Sequence, residues 1–178
     1  MLTQTKLREL LEYDPETGIF TRRPPSGKRK QGMRYSYYSQ PAGNIHKTHG
    51  YVIIHILGER FRASRLAWLY MTGQWPQHEV DHINGNRADD SWANLREADS
   101  SQQKMNTSIR SDNTSGVKGV YWNKRIGKWH ARIKAYGVCT HLGYFENFDD
   151  AMSARKSAAL KIHGEFAKLD SLPPENPN

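Results

Sequence analysis

The 178-residue chain has a single cysteine, Cys139, and lacks any apolar stretch long enough to cross a membrane. One cysteine excludes an intramolecular disulfide and a zinc site made of several cysteines of the same chain. A transmembrane helix needs about 20 consecutive apolar residues, and the N-terminal residues also lack the pattern of a secretory signal peptide. We therefore expect a cytoplasmic protein without a membrane partner, in which Cys139 is an ordinary strand residue.

Acidic residues are scarce relative to basic ones. The chain has 18 aspartates and glutamates against 26 lysines and arginines, which gives a net charge of +8 and a pI near 9.6. Such a surface attracts phosphate groups and favours salt-sensitive binding to nucleic acid. Ribosomal and membrane-surface proteins are often equally basic, so the charge indicates a class of partners and leaves the activity open.

The chemically informative residues are Asp81 and His82, followed by the run Asn94-Leu95-Arg96-Glu97. A turn-rich loop and a short strand separate them from a helix start, where Asp99 fits an N-cap and Gln102 completes a capping box. An aspartate is a hard oxygen ligand for Mg²⁺ or Mn²⁺, and a neighbouring histidine can take a proton from water. The pattern predicts a one-metal site that cleaves phosphodiesters. Taken alone, an Asp-His pair is more often a surface turn or a structural hydrogen bond.

This string resembles the HNH endonucleases, in particular the small phage and intron-type enzymes. The resemblance implies an α+β fold with a ββα-metal (His-Me finger) core. It implies that Asp81 is a metal ligand, that His82 is the general base, and that Asn94 braces the hairpin and orients the histidine. The second metal ligand corresponds to Gln103, where the family has His or Asn, and the extra methylene shifts the amide oxygen by about 1.5 Å. Ser64 is a second departure, because histidine commonly precedes the Arg-Leu-Ala-Trp run.

The C-terminal region has alternating apolar residues and glycines, which indicate three short antiparallel strands, and then helical spacing from Phe148 to Ile162. It resembles the DNA-binding domain of the Apetala and ethylene-response-factor class, a three-stranded antiparallel sheet packed on one helix. The resemblance implies that one sheet face enters the major groove of double-stranded DNA. The residues at or near the family's DNA-facing positions are Lys118, Tyr121, Asn123, Lys128, Arg132, Lys134 and His141. Three large aromatic residues of this region are expected in the core: Trp122, Trp129 and Phe145.

These resemblances predict the domain limits. We expect an endonuclease domain over residues 1–107, with its catalytic core at about 76–107, a linker at 108–114, a DNA-binding domain at 115–170 and a flexible tail at 171–178. Within the first domain, we expect a helix from Ser64 to Tyr70 with Ser64 as its cap. The basic and tyrosine-rich stretch from Arg22 to Gln40 suits contacts with phosphates and bases, and a solvated loop explains it equally well.

The predicted function is metal-dependent hydrolysis of DNA by an endonuclease of the homing type, which the C-terminal domain directs to its target. We expect either a phage protein in the cytoplasm of a bacterial host or a bacterial cytoplasmic protein. Arg87 or Arg96 is expected to bind a neighbouring phosphate. One site per chain permits nicking by a monomer or double-strand cleavage by two chains. The alternative is a non-catalytic DNA-binding regulator on a degenerate HNH scaffold. An RNA-associated protein is a third reading, against which the HNH resemblance argues.

Overall fold

The computed structural model describes residues 1–24, 38, 40–107, 109 and 111–167. Contacts divide the chain into two compact units, Met1–Ala98 and Asp99–Asn178. Both units mix helices and strands, in agreement with the α+β class. The division falls nearer the N-terminus than the predicted limit at residue 107, and the domain limits stay a prediction. The tail at 171–178 and residues 25–37 and 39 of the basic stretch lie outside the described residues.

Among its described residues, the first unit has two helices, seven strands and a short 3₁₀ turn. In chain order its elements are α1 Gln4–Leu10, β1 Leu11–Tyr13, β2 Phe20–Arg22, β3 Asn44–Ile45, β4 Val52–Ile56, β5 Glu59–Arg62, α2 Ala63–Thr72, β6 Glu79–His82, the 3₁₀ turn Trp92–Asn94 and β7 Leu95–Ala98. The strands form an antiparallel β1–β2 hairpin, an antiparallel β3-β4-β5 sheet and an antiparallel β6–β7 hairpin.

The core of the first unit lies between α2 and the strands. Leu66 of α2 and Ile54 of β4 are fully buried, and Phe20 of β2 is 1% exposed. Alternation along β4 turns Ile54 inward and His55 outward, as expected for a strand with one face on a core. This core supports the β6–β7 hairpin through Val80, which is 4% exposed and belongs to the same cluster.

The predicted N-cap of α2 was wrong. The helix begins at Ala63, its N-cap is Arg62, and Ser64 lies within the first turn with only 2% of its surface exposed. Strand β5 runs directly into α2, so its last residue already has the extended backbone that a cap requires. Ser64 is therefore a small buried residue of the helix.

The second unit contains helices α3 Ser100–Met105 and α4 Phe148–His163, a 3₁₀ turn at Gly164–Phe166, and strands β8 Val120–Asn123, β9 Lys128–Ala135 and β10 Val138–Phe145. The strands form one antiparallel sheet in the order β10-β9-β8. Helix α3 begins with a complete capping box, because Asp99 accepts from the main chain of Gln102 and the Gln102 side chain accepts from that of Asp99. Cys139 lies exposed on β10.

One sheet face of the second unit packs against α4. Val120, Ala131 and Ala151 are buried there, and Trp129 packs against them. The expectation that Trp122 is a core residue was wrong, since it is 46% exposed. Strand β8 is an edge strand, and the Trp122 ring contacts only the rim of this core, edge-on to Trp129 with ring centres 5.4 Å apart. In the described ranges, no helix has both the length and the apolar character needed to span a bilayer.

Candidate active site

The β6–β7 hairpin places Asp81 and His82 at the end of β6. Asp81 pairs with Arg96 across the hairpin, and His82 pairs with Leu95. Because side chains alternate along a strand, Val80 and His82 point towards the interior of the first unit and Asp81 points to the opposite face. Asp81 and His82 are therefore neighbours in the chain, but their side chains have separate surroundings.

Asp81 forms a close ion pair with Arg96. The guanidinium donates from Nε and Nη2 to Oδ2 at 3.1 and 3.0 Å, and the Asp81 side chain is 14% exposed. This pairing holds the carboxylate in one orientation at the end of the strand. It also gives Arg96 a partner in the hairpin itself, whereas the sequence predicted a contact with a DNA phosphate.

The donor set fits a hard divalent cation in its chemistry. Mg²⁺ is commonly held through one or two carboxylates and keeps several waters, so the carboxylate of Asp81 at the strand end is a suitable donor. Gln103 lies on α3 in the second unit, and its part in a metal site stays a prediction. Among the described residues, no group of three His, Cys, Asp or Glu side chains could hold a metal ion.

His82 forms a buried pair with Asp90, a residue that the sequence did not single out. Nε2 of His82 lies 2.9 Å from Oδ1 of Asp90, and both side chains are 3% exposed. Burial raises the pKa of Asp90, and the hydrogen bond to His82 opposes that rise. When the carboxylate is ionised, Nε2–H donates to it, which leaves Nδ1 as the basic nitrogen of a neutral ring.

The N-terminal hairpin holds Asp90 in place. The hydroxyl of Tyr13 donates to the main-chain carbonyl of Asp90 at 2.7 Å, and the main chain of Trp92 donates to the carbonyl of Pro15 at 2.8 Å. Burial, and next the charge of Asp90, raise the pKa of Tyr13, so the phenol stays a donor. Gly18 has a φ of +73°, and a Cβ there would lie 2.3 Å from the carbonyl carbon of Asp90. Only glycine permits this approach.

Asn94 ties the loop between β6 and β7 together. Its Oδ1 accepts from the main chain of Asn84 at 2.9 Å, and its Nδ2 donates to the carbonyl of Asp89 at 2.7 Å. The Asn94 side chain therefore spans the loop from one end to the other. It acts on His82 indirectly, because the loop segment that it braces at Asp89 leads directly to Asp90.

Comparisons with known proteins find similarity to this part of the chain. Residues 61–105 match the model of a family described as HNH endonuclease. This segment of the chain is therefore similar to HNH endonucleases. A relative, Protein 3.8 of Escherichia phage T7, is 29% identical over 103 residues, which cover 57% of this chain and 84% of the relative. No solved structure matches the chain.

The HNH segment ends before the predicted DNA-binding sheet, whose face away from α4 carries a row of aromatic rings. The row has one ring from each of the three strands: Tyr121, His130 and Tyr144. The ring centre of His130 lies 4.7 Å from that of Tyr121 and 4.9 Å from that of Tyr144. Arg132 lies over Tyr121 at 5.3 Å, and Nδ1 of His141 lies 2.6 Å from Nε2 of His130. Sequence analysis named Tyr121, Arg132 and His141 and missed the other two, although the period of two along β9 places His130 beside Arg132 on this face.

Three of the other predicted DNA contacts have partners of their own. Lys118 donates to main-chain carbonyl groups at the end of α3. The Asn123 side chain accepts from two main-chain N–H groups in the following turn, and Lys128 pairs with Glu146 at 2.7 Å. Lys134 is exposed on β9. Their roles in DNA binding stay predictions.

Two histidines of the second unit predict loss of stability in acid. Burial lowers the pKa of His130, with the charges of His141 and Arg132 adding to it, and burial also lowers the pKa of His163. The folded chain therefore resists protonation, whereas the unfolded chain takes up protons near the ordinary pKa of 6.5. Stability of this unit is full above that value and falls as the pH drops below it.

This prediction is checked by urea denaturation of the full chain at neutral pH and at about pH 5. The midpoint of the transition that involves β9 and α4 should be lower in acid, and the combined variant His130→Gln and His163→Gln should reduce the difference. A matched control is His55→Gln, since His55 is exposed on β4 of the first unit. Equal pH differences in all three proteins would contradict the assignment.

Proposed function

We propose that this protein is a metal-dependent DNA endonuclease of the HNH type that hydrolyses phosphodiester bonds. The observation that carries the proposal is His82, hydrogen-bonded to the buried Asp90 and adjacent to Asp81 within the segment that matches the family. A buried carboxylate that fixes one nitrogen of an imidazole is an arrangement that prepares the other nitrogen to accept a proton.

In this mechanism, His82 is the general base. Its Nδ1 takes a proton from a water molecule, whose oxygen forms a bond to phosphorus while the bond from phosphorus to O3′ breaks. The products are a 5′-phosphate and a 3′-hydroxyl, which receives a proton from solvent. Asp90 holds the ring through Nε2, and Asn94 keeps the loop that carries Asp90 in its place.

Asp81 is the proposed ligand of a divalent ion, Mg²⁺ or Mn²⁺, with Gln103 as a second oxygen donor. Such an ion, when bound, offsets negative charge on the phosphate and on the leaving oxygen. Arg96 orients the Asp81 carboxylate through its two hydrogen bonds to Oδ2.

We propose further that the C-terminal sheet directs the nuclease to its site, as in a homing endonuclease. The support is the open face with Tyr121, Arg132, His141 and Tyr144, where aromatic rings and a guanidinium suit contact with DNA bases and phosphates. Linking such a face to a nuclease raises the local concentration of the active site at the sequence that the face recognises.

A second function, that of a non-catalytic DNA-binding regulator, is favoured by one departure. Gln103 occupies the position where the HNH resemblance implies His or Asn, and Asp81 is held by Arg96. A scaffold that had lost its second ligand would keep the same ion pair and the same buried His82. Both functions predict DNA binding, and only the first predicts cleavage.

The test is incubation of supercoiled plasmid or phage genomic DNA with the protein in Mg²⁺, in Mn²⁺ and in EDTA, followed by gel analysis. Nicked or linear DNA in the metal lanes alone supports the endonuclease. A shift of the DNA without any cleavage in either metal supports the regulator.

Gln103→Asn is expected to raise the cleavage rate. The shorter side chain moves the amide oxygen by about 1.5 Å towards the position of the family's ligand. A displacement near 1 Å can cost up to about 10²-fold, and the flexible glutamine recovers part of that, so we expect a gain of about tenfold. The measurement is the initial rate of plasmid nicking. The control is Gln102→Asn, the same change at the adjacent glutamine, which belongs to the capping box of α3. An equal gain in cleavage rate in this variant would contradict the prediction.

A further inference from the structure

Three residues form a group beside His82, of which only Arg87 was named from the sequence as a phosphate contact: Tyr51 just before β4, Arg62 at the end of β5 and Arg87 in the loop after β6. The ring centre of Tyr51 is 5.9 Å from that of His82. The guanidinium carbon of Arg62 lies over the Tyr51 ring at 4.3 Å, and that of Arg87 at 5.0 Å. We call these three residues the Tyr51 cluster.

The contacts hold both guanidiniums in place without neutralising both charges. Arg62 pairs with Glu79 at 3.0 Å, a contact between two well exposed side chains. Arg87 donates to the main-chain carbonyl of His49 at 3.2 Å, which fixes its position, and no ion pair among the described residues opposes its charge. A cation over an exposed ring gains only about 0.5–1 kcal/mol. Gathering two cations round one ring therefore favours a shared anion.

The chemistry of that anion follows from the donors. A guanidinium presents five N–H groups in a planar fork that matches the oxygens of a phosphate. One carbonyl contact from Arg87 occupies a single N–H among the described residues. Two guanidiniums held within 5.0 Å of the same ring centre bring two such forks to one place.

We propose that Arg62 and Arg87, held against Tyr51, bind one backbone phosphate of DNA next to the phosphate that is cleaved. The inference rests on the proposed function and extends it. One DNA strand carries a phosphate about every 3.4 Å of helix axis, so a site this close to the His82 ring lies within one or two nucleotides of the attacked bond. Arg96 is committed to Asp81, which assigns the neighbouring-phosphate contact to Arg87 and adds Arg62 to it.

The test uses the full chain, a DNA duplex and EDTA, so that binding is measured without cleavage. The dissociation constant is determined over about 50–300 mM KCl for wild type, Arg87→Gln and the double variant Arg62→Gln, Arg87→Gln. The logarithm of the association constant falls as log [KCl] rises. Loss of one phosphate contact should make this slope less steep by about 0.9 in the double variant, and by a smaller amount in Arg87→Gln. Arg87→Gln leaves the ion pair of Arg62 with Glu79 intact and guards against a folding defect.

Arg8→Gln is the matched control. Arg8 is exposed, lies 4.9 Å from the ring centre of Tyr70 and donates to a main-chain carbonyl at 2.8 Å, so it repeats the contacts of Arg87 at another aromatic ring. An unchanged slope in the double variant, or an equal fall in Arg8→Gln, overturns the proposal. A different result would overturn the nuclease proposal alone. In that case the salt dependence of wild-type DNA binding would depend on Arg62 and Arg87, but the protein would never cut DNA in Mg²⁺ or Mn²⁺.

Discussion

The His82→Ala protein is expected to lose metal-dependent cleavage of supercoiled DNA, with kcat lower by about 10²- to 10⁴-fold. The reason is that alanine removes the nitrogen that we propose takes the proton from water, while the Asp81–Arg96 pair across the hairpin remains. The measurement is the rate of nicking at saturating DNA concentration in Mg²⁺ and in Mn²⁺, together with the dissociation constant for the same DNA in EDTA.

Binding should change little in His82→Ala, because the side chain is buried and the proposed DNA contacts lie elsewhere. His55→Ala is the control in the same unit, since His55 is exposed on β4 and should keep wild-type cleavage. If His82→Ala cuts as fast as wild type, His82 is not the base. If wild type and His82→Ala both bind DNA and neither cuts it, the protein is a non-catalytic DNA-binding regulator.

The second large effect is expected at Asp90. In Asp90→Leu, the acceptor for Nε2 of His82 is gone, so the proton can move to the other ring nitrogen and the basic atom is lost from the site. Carboxylate partners of histidines in metal sites typically contribute 10- to 100-fold, and we expect kcat to fall by about 10²-fold with KM nearly unchanged. Asp90→Asn retains an acceptor oxygen and should keep most of the rate.

A structural role of Asp90 would give a different result. The readout that separates the two is the ¹⁵N spectrum of the His82 imidazole, which reports where its proton lies. Wild type and Asp90→Asn should show the Nε2–H form, and Asp90→Leu a mixture of both forms. Asp90 would have only a structural role if the Asp90→Leu protein melted at a lower temperature but, when folded, kept the Nε2–H form of His82 and the wild-type kcat.

Some of this site could be predicted from the sequence because its parts are local. Asp81 and His82 are adjacent, and Asn94 follows in a hairpin whose loop and strand can be recognised from turn residues and spacing. The capping box at Asp99 has a sequence signature of its own, and the structure confirms it.

The parts that escaped prediction depend on contacts between distant segments. Asp90 looks like any acidic residue of a turn until the fold buries it against His82, where burial raises the pKa of its carboxyl. Arg62 reads as one basic residue among many until β4 and β5 bring it over Tyr51. Nothing in a single sequence distinguishes such residues from a solvated surface.

The exposure of Trp122 has a similar cause. Large aromatic residues in a small sheet usually cover its core, and Trp129 does so. Trp122 lies on β8, the edge strand of a sheet whose strands pair in chain order, and the sequence did not show how little of this side chain the core would cover.

The close approach of Gly18 to Asp90 affects how the catalytic region can be delimited in practice. Residues 61–105 carry the family match, yet the phenol of Tyr13 and the carbonyl of Pro15 that hold the loop around Asp90 belong to the N-terminal hairpin. A minimal fragment trimmed to the family match would contain His82 and lose the structure that orients its partner. The working unit of the proposed nuclease therefore includes the N-terminal hairpin, and substitutions at Tyr13 or Gly18 can alter the placement of Asp90.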